Sequence, residues 1–235
     1  MPGVLLTWER VLDSEIRNPQ SALRILVNAG PTREFFDTVR FISNPSTGKQ
    51  GFAVARAARD RGHQVVLVAG PVDLPDEPGV KMIHVTTAAE MADACKAEFE
   101  RCDAAILTAA VCDYRPSEQM SHKRAKSDEP LQVRLDPTED ICAALGQTKG
   151  RRVIIGFAMD DREGERRAEA KLKRKNCDVI VANGPKNIGS DRVTIRILHH
   201  QEGWSEQLSG TKQDIARHVI SVLESLHAAA ARPSE

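Results

Sequence analysis

This chain of 235 residues has few aromatic side chains, no long apolar run and no excess of positive or negative charge. Lysine plus arginine and aspartate plus glutamate each total 33, so the formal net charge is zero. Non-specific binding to nucleic acids or membrane surfaces needs a basic excess, so neither partner is expected. No apolar stretch is long enough to span a bilayer, and the first residues lack a signal-peptide pattern, which predicts a cytoplasmic protein.

Cysteine is infrequent, and the five cysteines form no recognisable pattern. They include no C-x-x-C pair, and no histidine lies nearby at a zinc-ligand spacing. A scattered, odd-numbered set is typical of a reducing compartment, where thiols serve as small core residues. Cys112 lies among candidate site residues, but packing is its favoured role.

The best-known nucleotide-binding motifs are missing as well. A P-loop needs a glycine where Ser43 stands and a hydroxyl residue where Gln50 stands. A dinucleotide fingerprint needs more glycines after the first strand, and an acidic residue at the end of the second, where Gly70 stands instead. The sole tyrosine, Tyr114, is followed four residues later by Glu118 rather than by a catalytic lysine. An NAD(P)-dependent Rossmann-type oxidoreductase is therefore a disfavoured alternative.

The most informative feature that is present is a polar loop between a buried strand near Ile25–Val27 and an alanine-rich helix. Hydroxyls, glycines and free backbone N–H groups at a helix start attract anions, because the helix dipole and the unpaired donors both favour negative charge. An ordinary N-cap by Ser46 or Thr47 is the alternative, but the flanking asparagine and arginines favour a phosphate site. The predicted phosphate- or substrate-binding residues are Gly30, Arg33, Arg40, Ser46, Thr47, Gly48 and Lys49.

Strand and helix patterns alternate along most of the chain. The predicted strands are Arg24–Ala29, Gln64–Ala69, Lys81–Val85, Ala104–Ala109, Val153–Phe157 and Val179–Ala182. The predicted helices between them are Lys49–Arg61, Ala88–Arg101, Thr138–Leu145 and Arg162–Lys175. This alternation predicts an α/β fold with a doubly wound, mostly parallel, Rossmann-like sheet.

The two ends of the chain depart from this rhythm. Segments Arg192–His199 and Ser205–Ser209 flank a turn, which predicts a C-terminal β-hairpin extending the sheet, followed by a helix over Thr211–Leu226. A helix over Trp8–Ile16 is predicted near the start. The expected organisation is an N-terminal extension (1–22), one enzyme domain (23–228) and a flexible tail (229–235).

The segment Tyr114–Pro130 is polar, without periodicity and too long for a tight connection. It leaves a predicted central strand at the edge where open α/β sheets bind ligands, which indicates a mobile lid. Its basic residues Lys123, Arg124 and Lys126 then close over phosphates, whereas a solvated loop is the alternative. Lys171 and Lys175 share one helix face, a spacing that by itself indicates only solvation.

Taken in order, several motifs resemble the phosphopantothenate–cysteine ligase family from about Arg24 to Leu226. They are AGPTRE at 29–34, VRFISNPSTGKQGF at 39–52, LVAGPVDLP at 67–75, AAVCDYRP at 109–116, IGFAMD at 155–160, KLKRKNCDVIVAN at 171–183 and GSDRVTI at 189–195. The resemblance implies a two-step ligation of 4′-phosphopantothenate and L-cysteine through an acyl-nucleotide. It further implies a nucleoside triphosphate co-substrate (CTP in most bacterial members, ATP in eukaryotic ones), Mg²⁺ and a homodimer.

The same resemblance assigns roles to individual residues. Asn44 and Lys123 fall on the family's catalytic asparagine and lid lysine. The nucleotide-binding residues that it implies are Ala109, Ala110, Asp113, Glu139, Asp140, Ile141, Cys142, Phe157, Lys171 and Lys175. Lys171 and Lys175 are therefore interpreted as ligand-binding residues rather than as merely solvated surface lysines. No metal ligands are assigned. Many bacterial members are fused behind a flavin-dependent decarboxylase, and this chain is expected to be a stand-alone ligase linked functionally to a separate phosphopantothenoylcysteine decarboxylase.

The chain departs from the family pattern at a few positions. Ala125 replaces a lid lysine, Glu139 replaces a proline and Gly184 replaces an acid, while Met159-Asp160-Asp161 stands where the family has A-E-T. A non-catalytic nucleotide-binding homologue is therefore a second alternative. Retention of Asn44 and Lys123 speaks against it, because such a protein does not need acyl-transfer residues.

Overall fold

A mostly parallel sheet flanked by helices forms the centre of the computed structural model, which describes residues 22–159 and 164–231. In chain order the strands are β1 (Arg24–Ala29), β2 (Arg33–Phe35), β3 (Phe41–Ser43), β4 (Gln64–Ala69), β5 (Lys81–His84), β6 (Ala104–Leu107), β7 (Tyr114–Pro116), β8 (Leu135–Pro137), β9 (Val153–Met159), β10 (Val179–Asn183), β11 (Arg192–His199), β12 (Gly203–Trp204) and β13 (Leu208–Thr211). The helices are α1 (Lys49–Asp60), α2 (Ala88–Phe99), α3 (Ile141–Gln147), α4 (Gly164–Arg174) and α5 (Lys212–Ala231), with a 3₁₀ turn at Pro185–Asn187.

The parallel strands run in the spatial order β5-β4-β1-β6-β9-β10. β11 then pairs antiparallel with β10, and both β12 and β13 pair antiparallel with β11. The predicted doubly wound sheet with a C-terminal antiparallel extension is confirmed. Since the chain winds outwards in both directions from β1 and β6, the carboxyl ends of these two strands form the topological switch point, where open α/β sheets bind ligands.

Alternating side chains of β1 divide the core between the two faces of the sheet. Ile25 and Val27 lie in one core cluster, which includes apolar residues of α1 and α5. Leu26 lies in the other, which includes apolar residues of α2, α3 and α4. The two-residue period of a strand gives each face its own hydrophobic layer. No helix within 22–159 and 164–231 is long and apolar enough to cross a membrane.

Several predicted boundaries are confirmed and others are wrong. β1, β4 and β11 have the predicted ends. The predicted strand Ser205–Ser209 is wrong in its bounds, because β12 ends at Trp204 and β13 begins only at Leu208. The helix predicted from Thr138 begins at Ile141, since the Asp140 side chain caps it by accepting a hydrogen bond from the Ala143 amide at 3.1 Å. The final helix continues to Ala231, and the helix predicted over Trp8–Ile16 lies outside the described residues.

Two short antiparallel pairs occupy segments that the sequence indicated as loops. β2 pairs with β3 directly after β1, and β7 pairs with β8 directly after β6. The long polar segment between β7 and β8, residues 117–134, is hereafter called the lysine loop and contains no helix or strand, as expected. Both small hairpins therefore begin at the switch point and frame it.

Candidate active site

The switch point is built around Asn28, near the end of β1. Asn28 is buried, and its Oδ1 accepts hydrogen bonds from the backbone amides of Thr108 and Ala109 at 2.8 and 3.0 Å. Just beyond the ends of β1 and β6, the Ala110 amide donates to the Gly30 carbonyl at 2.9 Å. A buried amide must be hydrogen-bonded, and here it fixes the spacing of the two strand ends. The sequence signal for this residue was an asparagine at the end of an otherwise apolar strand.

The start of α1 lies against this switch point. Gly48 is the N-cap residue with φ of 72°, and a Cβ added to it would lie 3.6 Å from the Gly30 Cα. Among the residues that the structure describes, no side chain accepts a capping hydrogen bond at the start of α1. The alternative prediction, that Ser46 or Thr47 is an ordinary N-cap, is therefore wrong. The Ser46 hydroxyl instead accepts a hydrogen bond from the Gly48 amide at 3.4 Å. The first-turn amides of α1 therefore have no capping acceptor, which suits an anion.

Asn44 reaches the same place from the other side, directly after β3. Its Nδ2 donates to the backbone carbonyls of Ala110 and Val111, both at 3.1 Å, and the residue is exposed. The structure thus brings together two residues that the sequence assigned separately, Asn44 and Ala110. Both Nδ2 protons of Asn44 already donate to backbone carbonyls. A ligand that accepts a hydrogen bond from Nδ2 must therefore displace one of these two carbonyls.

Arg40 connects the turn between β2 and β3 to the lysine loop. Its Nη2 donates to the Arg124 carbonyl at 3.0 Å, next to Lys123, which is exposed. Asp37 in the same turn was not predicted as a site residue. Burial acts to raise its pKa, but hydrogen bonds from the amides of Arg40, Val39 and Arg124 outweigh it and lower the pKa below its ordinary value.

Two other predicted phosphate-binding cations are already engaged. The Lys49 amine lies 2.7 Å from Asp191, and this contact lowers the pKa of the Asp191 carboxyl. The Arg33 guanidinium lies over the Phe41 ring at 4.8 Å from its centroid. To bind a phosphate, the Lys49 amine must then exchange the Asp191 carboxylate for the phosphate.

The predicted nucleotide-binding residues of α3 and α4 form a second group. Asp140 caps α3 through Oδ1, and its Oδ2 lies 3.1 Å from the Lys175 amine. Glu139 accepts a hydrogen bond from Lys96 at 2.9 Å, which raises the pKa of that lysine. Ile141 is buried in the core beneath the cap, and Lys171 is half-buried on α4. The structure therefore brings Lys175 to the predicted turn as an ion pair with Asp140.

The remaining predicted nucleotide contacts lie along the strand ends. Ala109 and Ala110 are half-buried after β6, and Asp113 is exposed just beyond them. Phe157 is half-buried on β9 and packs against the core cluster that contains α1. Phe157 and the Asp140–Lys175 pair consequently belong to opposite faces of the sheet, a division that the sequence pattern did not predict.

The cysteines near the site differ in their surroundings. Burial raises the pKa of the Cys112 thiol, which fits the predicted packing role. Cys142 and Cys177 are both buried, with their sulfur atoms 3.1 Å apart. A hydrogen bond from Cys177 lowers the pKa of the Cys142 thiol, and the same contact raises the pKa of Cys177. A Cβ on Gly156 would lie 3.5 Å from the Cys142 sulfur, so the thiols lie directly over this glycine.

A separate cavity of about 250 Å³ opens on the outer side of α1, with Lys49, Arg56, Glu77 and Lys212 among its lining residues. Glu77 in this cavity binds Arg56 and Arg59, and Asp191 binds Lys49, so both of these carboxylates are already paired. The cavity shares only Lys49 with the predicted site residues. We therefore place the candidate active site at the switch point, where Asn28, Asn44 and the start of α1 converge.

Metal-binding groups are sparse in this region. Across 22–159 and 164–231, no three or more histidine, cysteine, aspartate or glutamate residues cluster so as to hold a metal ion. The Asp140 and Asp191 carboxylates are each paired with a lysine. Such a donor set suits Mg²⁺ only when substrate phosphates supply most of the oxygen ligands.

Residues 21–226 match the family described as the C-terminal domain of DNA/pantothenate metabolism flavoprotein. The coenzyme A biosynthesis bifunctional protein CoaBC of Bacillus subtilis is 35% identical over 223 residues, covering 93% of this chain and 55% of the relative. A protein of an unknown prokaryotic organism, named cysteine/cysteine sulfinic acid decarboxylase, is 43% identical over 185 residues, covering 75% and 52%.

Among solved structures, the crystal structure of the C-terminal domain of CoaBC has a TM-score of 0.75 and 34% identity. The match covers 88% of this chain and 96% of that domain. The chain thus spans about half the length of the curated relatives it matches, and nearly all of the crystallised domain.

Proposed function

Because the chain belongs to the family of the C-terminal domain of DNA/pantothenate metabolism flavoproteins, we propose that it is a phosphopantothenate–cysteine ligase of coenzyme A biosynthesis. Its substrates are 4′-phosphopantothenate, L-cysteine and a nucleoside triphosphate. CTP is favoured over ATP, because the resemblance is to a family whose bacterial members usually use CTP and the CoaBC relative is bacterial. The protein acts in the cytoplasm, and a phosphopantothenoylcysteine decarboxylase uses its product.

The observation that carries this proposal is the arrangement at the switch point. Asn44, the predicted catalytic residue, is hydrogen-bonded to the Ala110 carbonyl, beside the uncapped start of α1. Small residues there, namely Gly30, Gly48 and Ala110, let a ligand approach the backbone closely. An anionic acyl-nucleotide fits such a crevice, because the α1 dipole and amides attract phosphate while Asn44 offers a neutral polar contact.

In the first step the carboxylate of phosphopantothenate attacks the α-phosphate of the triphosphate, and pyrophosphate leaves. Two anions must approach each other, so Arg40, Lys175 and the α1 amides offset their repulsion. Mg²⁺, when bound through the phosphates, supplies further positive charge to the triphosphate. In the second step the cysteine amine attacks the acyl carbon and the nucleoside monophosphate leaves. Lys123 then stabilises the tetrahedral anion by its charge.

The decisive experiment measures pyrophosphate release with phosphopantothenate, Mg²⁺, L-cysteine and either CTP or ATP. We expect turnover that requires all components and is faster with CTP. Nucleotide binding without turnover would favour a non-catalytic homologue. Release of CO₂ from cysteine without pyrophosphate would favour the activity in the name of the decarboxylase relative.

A second experiment separates the two chemical steps. Lys123→Gln should still form acyl-nucleotide and release pyrophosphate in a first turnover, but transfer the acyl group to cysteine about 10²–10³-fold more slowly. Rapid-quench measurements with labelled nucleotide, with and without cysteine, follow both steps. If Lys123→Gln forms no intermediate, the lysine acts in activation and the assigned division of labour is wrong.

A further inference from the structure

Asp37 is a charged residue in an unusual position, because its side chain is fully buried in the turn between β2 and β3. Burying a carboxylate costs free energy unless hydrogen bonds or cations compensate it. Its Oδ1 accepts hydrogen bonds from the amides of Val39 and Arg40 at 2.8 and 2.7 Å. These two bonds form a local turn and do not by themselves require the second oxygen to be buried.

The second oxygen is directed at the lysine loop. Oδ2 of Asp37 accepts a hydrogen bond from the Arg124 amide at 3.3 Å, and it lies 3.4 Å from the Arg40 guanidinium. That guanidinium in turn donates to the Arg124 carbonyl at 3.0 Å. Asp37 therefore holds the peptide group that joins Lys123 to Arg124, and Arg40 holds the next one.

A further contact fixes the loop on the other side of Lys123. The Met120 amide donates to the Phe36 carbonyl at 3.0 Å, so residues 120–124 run across the β2–β3 turn. Between these two attachments the Lys123 side chain is exposed. The same hairpin continues through β3 to Asn44, whose amide contacts the Ala110 carbonyl. The loop that carries Lys123 and the segment that carries Asn44 are thus attached to one hairpin.

We propose that Asp37 is a positioning residue that holds the lysine loop on the β2–β3 turn, so that Lys123 and Asn44 keep a fixed relation. This inference rests on the proposed function for its catalytic consequence, but the docking of the loop is independent of it. Holding a charged group in place before reaction removes the entropic cost of ordering it in the transition state. A free loop of this length would have to be ordered in every turnover.

Asp37→Asn is the selective test, because the amide oxygen can still accept from Val39 and Arg40 while its NH₂ group cannot accept from Arg124. Trypsin cleavage after Lys123, Arg124 and Lys126, followed by mass spectrometry without substrates, reports loop release. We expect cleavage to be about 10-fold faster in Asp37→Asn, the effect of one charge-assisted hydrogen bond on a local opening equilibrium. Glu34→Gln is the matched control, because buried Glu34 lies on the same hairpin but accepts from the Ala88 amide of α2.

A second variant guards against general damage to the hairpin. Arg124→Pro removes the amide donor from the loop side and leaves Asp37 intact, so cleavage after Lys126 should accelerate in this variant as well. Unchanged cleavage in both variants would overturn the docking role of Asp37, whatever the activity of the enzyme.

Kinetics then test whether docking serves Lys123. We expect Asp37→Asn to lower kcat by about 10²-fold, with little change in KM for the nucleotide. The double variant Asp37→Asn/Lys123→Gln should be no slower than Lys123→Gln, because both lesions act on one group. Additive losses would overturn the positioning role. If the wild type has no ligase activity, the proposed function and that role fail together, while the cleavage comparison still decides whether Asp37 holds the loop.

Discussion

At Asn44, one amide group serves both the fold and the proposed chemistry, since its nitrogen joins β3 to the Ala110 and Val111 carbonyls. Asn44→Asp replaces two donors by an acceptor and places negative charge against these carbonyls and the anionic intermediate. We expect a folded protein that loses most ligase activity, because removing one preorganised donor typically costs about 10²–10³-fold. Pyrophosphate release and the melting temperature are the two measurements.

Asn187→Asp is a suitable control for this variant. Its side-chain amide also donates to a backbone carbonyl, that of Thr194 at 2.8 Å, but it lies beside the C-terminal strands. We expect its activity to stay near that of the wild type. Full turnover by Asn44→Asp would remove Asn44 from the mechanism.

The Cys142–Cys177 thiol pair leads to a prediction about oxidation. Hydrogen peroxide can take two electrons and two protons from the pair, giving a disulfide and two molecules of water. Because the sulfur atoms are 3.1 Å apart, only a small approach is needed to reach a disulfide bond length of about 2.05 Å. We expect non-reducing peptide mapping of the oxidised, folded protein to yield a 142–177 cross-link.

Cys95 supplies the internal control for that experiment. Its sulfur is fully buried, and burial raises its pKa to about 12, so it should stay reduced under the same treatment. A 142–177 cross-link that forms only after the protein is unfolded would contradict the prediction.

Among the elements, α1 determines the shape of the crevice through its close contact with β1. A Cβ on Gly51 would lie 2.5 Å from both the Ala29 Cβ and the Thr108 Oγ1. Gly51→Ala should therefore lower the free energy of unfolding by about 1–3 kcal/mol through overpacking, although alanine favours helices by about 1 kcal/mol. Urea denaturation measures the change.

Gly184→Ala is the control for Gly51→Ala. Gly184 has an ordinary backbone φ of −109°, and a Cβ added there would meet nothing within 4 Å. Its free energy of unfolding should change by less than about 0.5 kcal/mol. An equal loss in both variants would show that the contact between α1 and β1 tolerates a methyl group.

For the whole molecule, the resemblance predicts a homodimer. The edge strands of the C-terminal hairpin offer backbone groups that can pair across a two-fold axis. The exposed apolar side chains instead concentrate on the two small hairpins, including Val39 (55% exposed), Phe41 (40%) and Tyr114 (55%). Such a cluster is typical of an association surface. We therefore expect Val39→Glu to shift a dimer towards monomer in light scattering at micromolar concentration.

Ile188→Glu is the matched control for the dimer, because Ile188 is similarly exposed (40%) but precedes the C-terminal strands. Its mass should remain that of the wild type. A monomeric wild type would contradict the predicted dimer. If Ile188→Glu dissociates the dimer and Val39→Glu does not, the interface lies at the C-terminal strands instead.

The fold class and the bounds of β1, β4 and β11 are predictable from the amino-acid sequence alone. These bounds are local properties. The buried parallel strands β1 and β4 are mostly apolar runs that end at residues which break them, whereas antiparallel β11 alternates buried and more exposed residues over most of its length. The three-residue strands β2 and β7 had no such signal, since segments this short are stabilised by their tertiary neighbours rather than by their own pattern. They were therefore expected as loops.

Which polar groups meet depends on how the chain folds in three dimensions. Asn44 and Ala110 are 66 residues apart, Asp37 and Arg124 are 87 apart, and Cys142 and Cys177 are 35 apart. The amino-acid sequence carries no local signal for such pairs, because each depends on how the crossovers bring strand ends and turns to one edge. For this reason the sequence assigns Asp37 no role, and the tertiary structure gives its second oxygen one by placing the lysine loop against it.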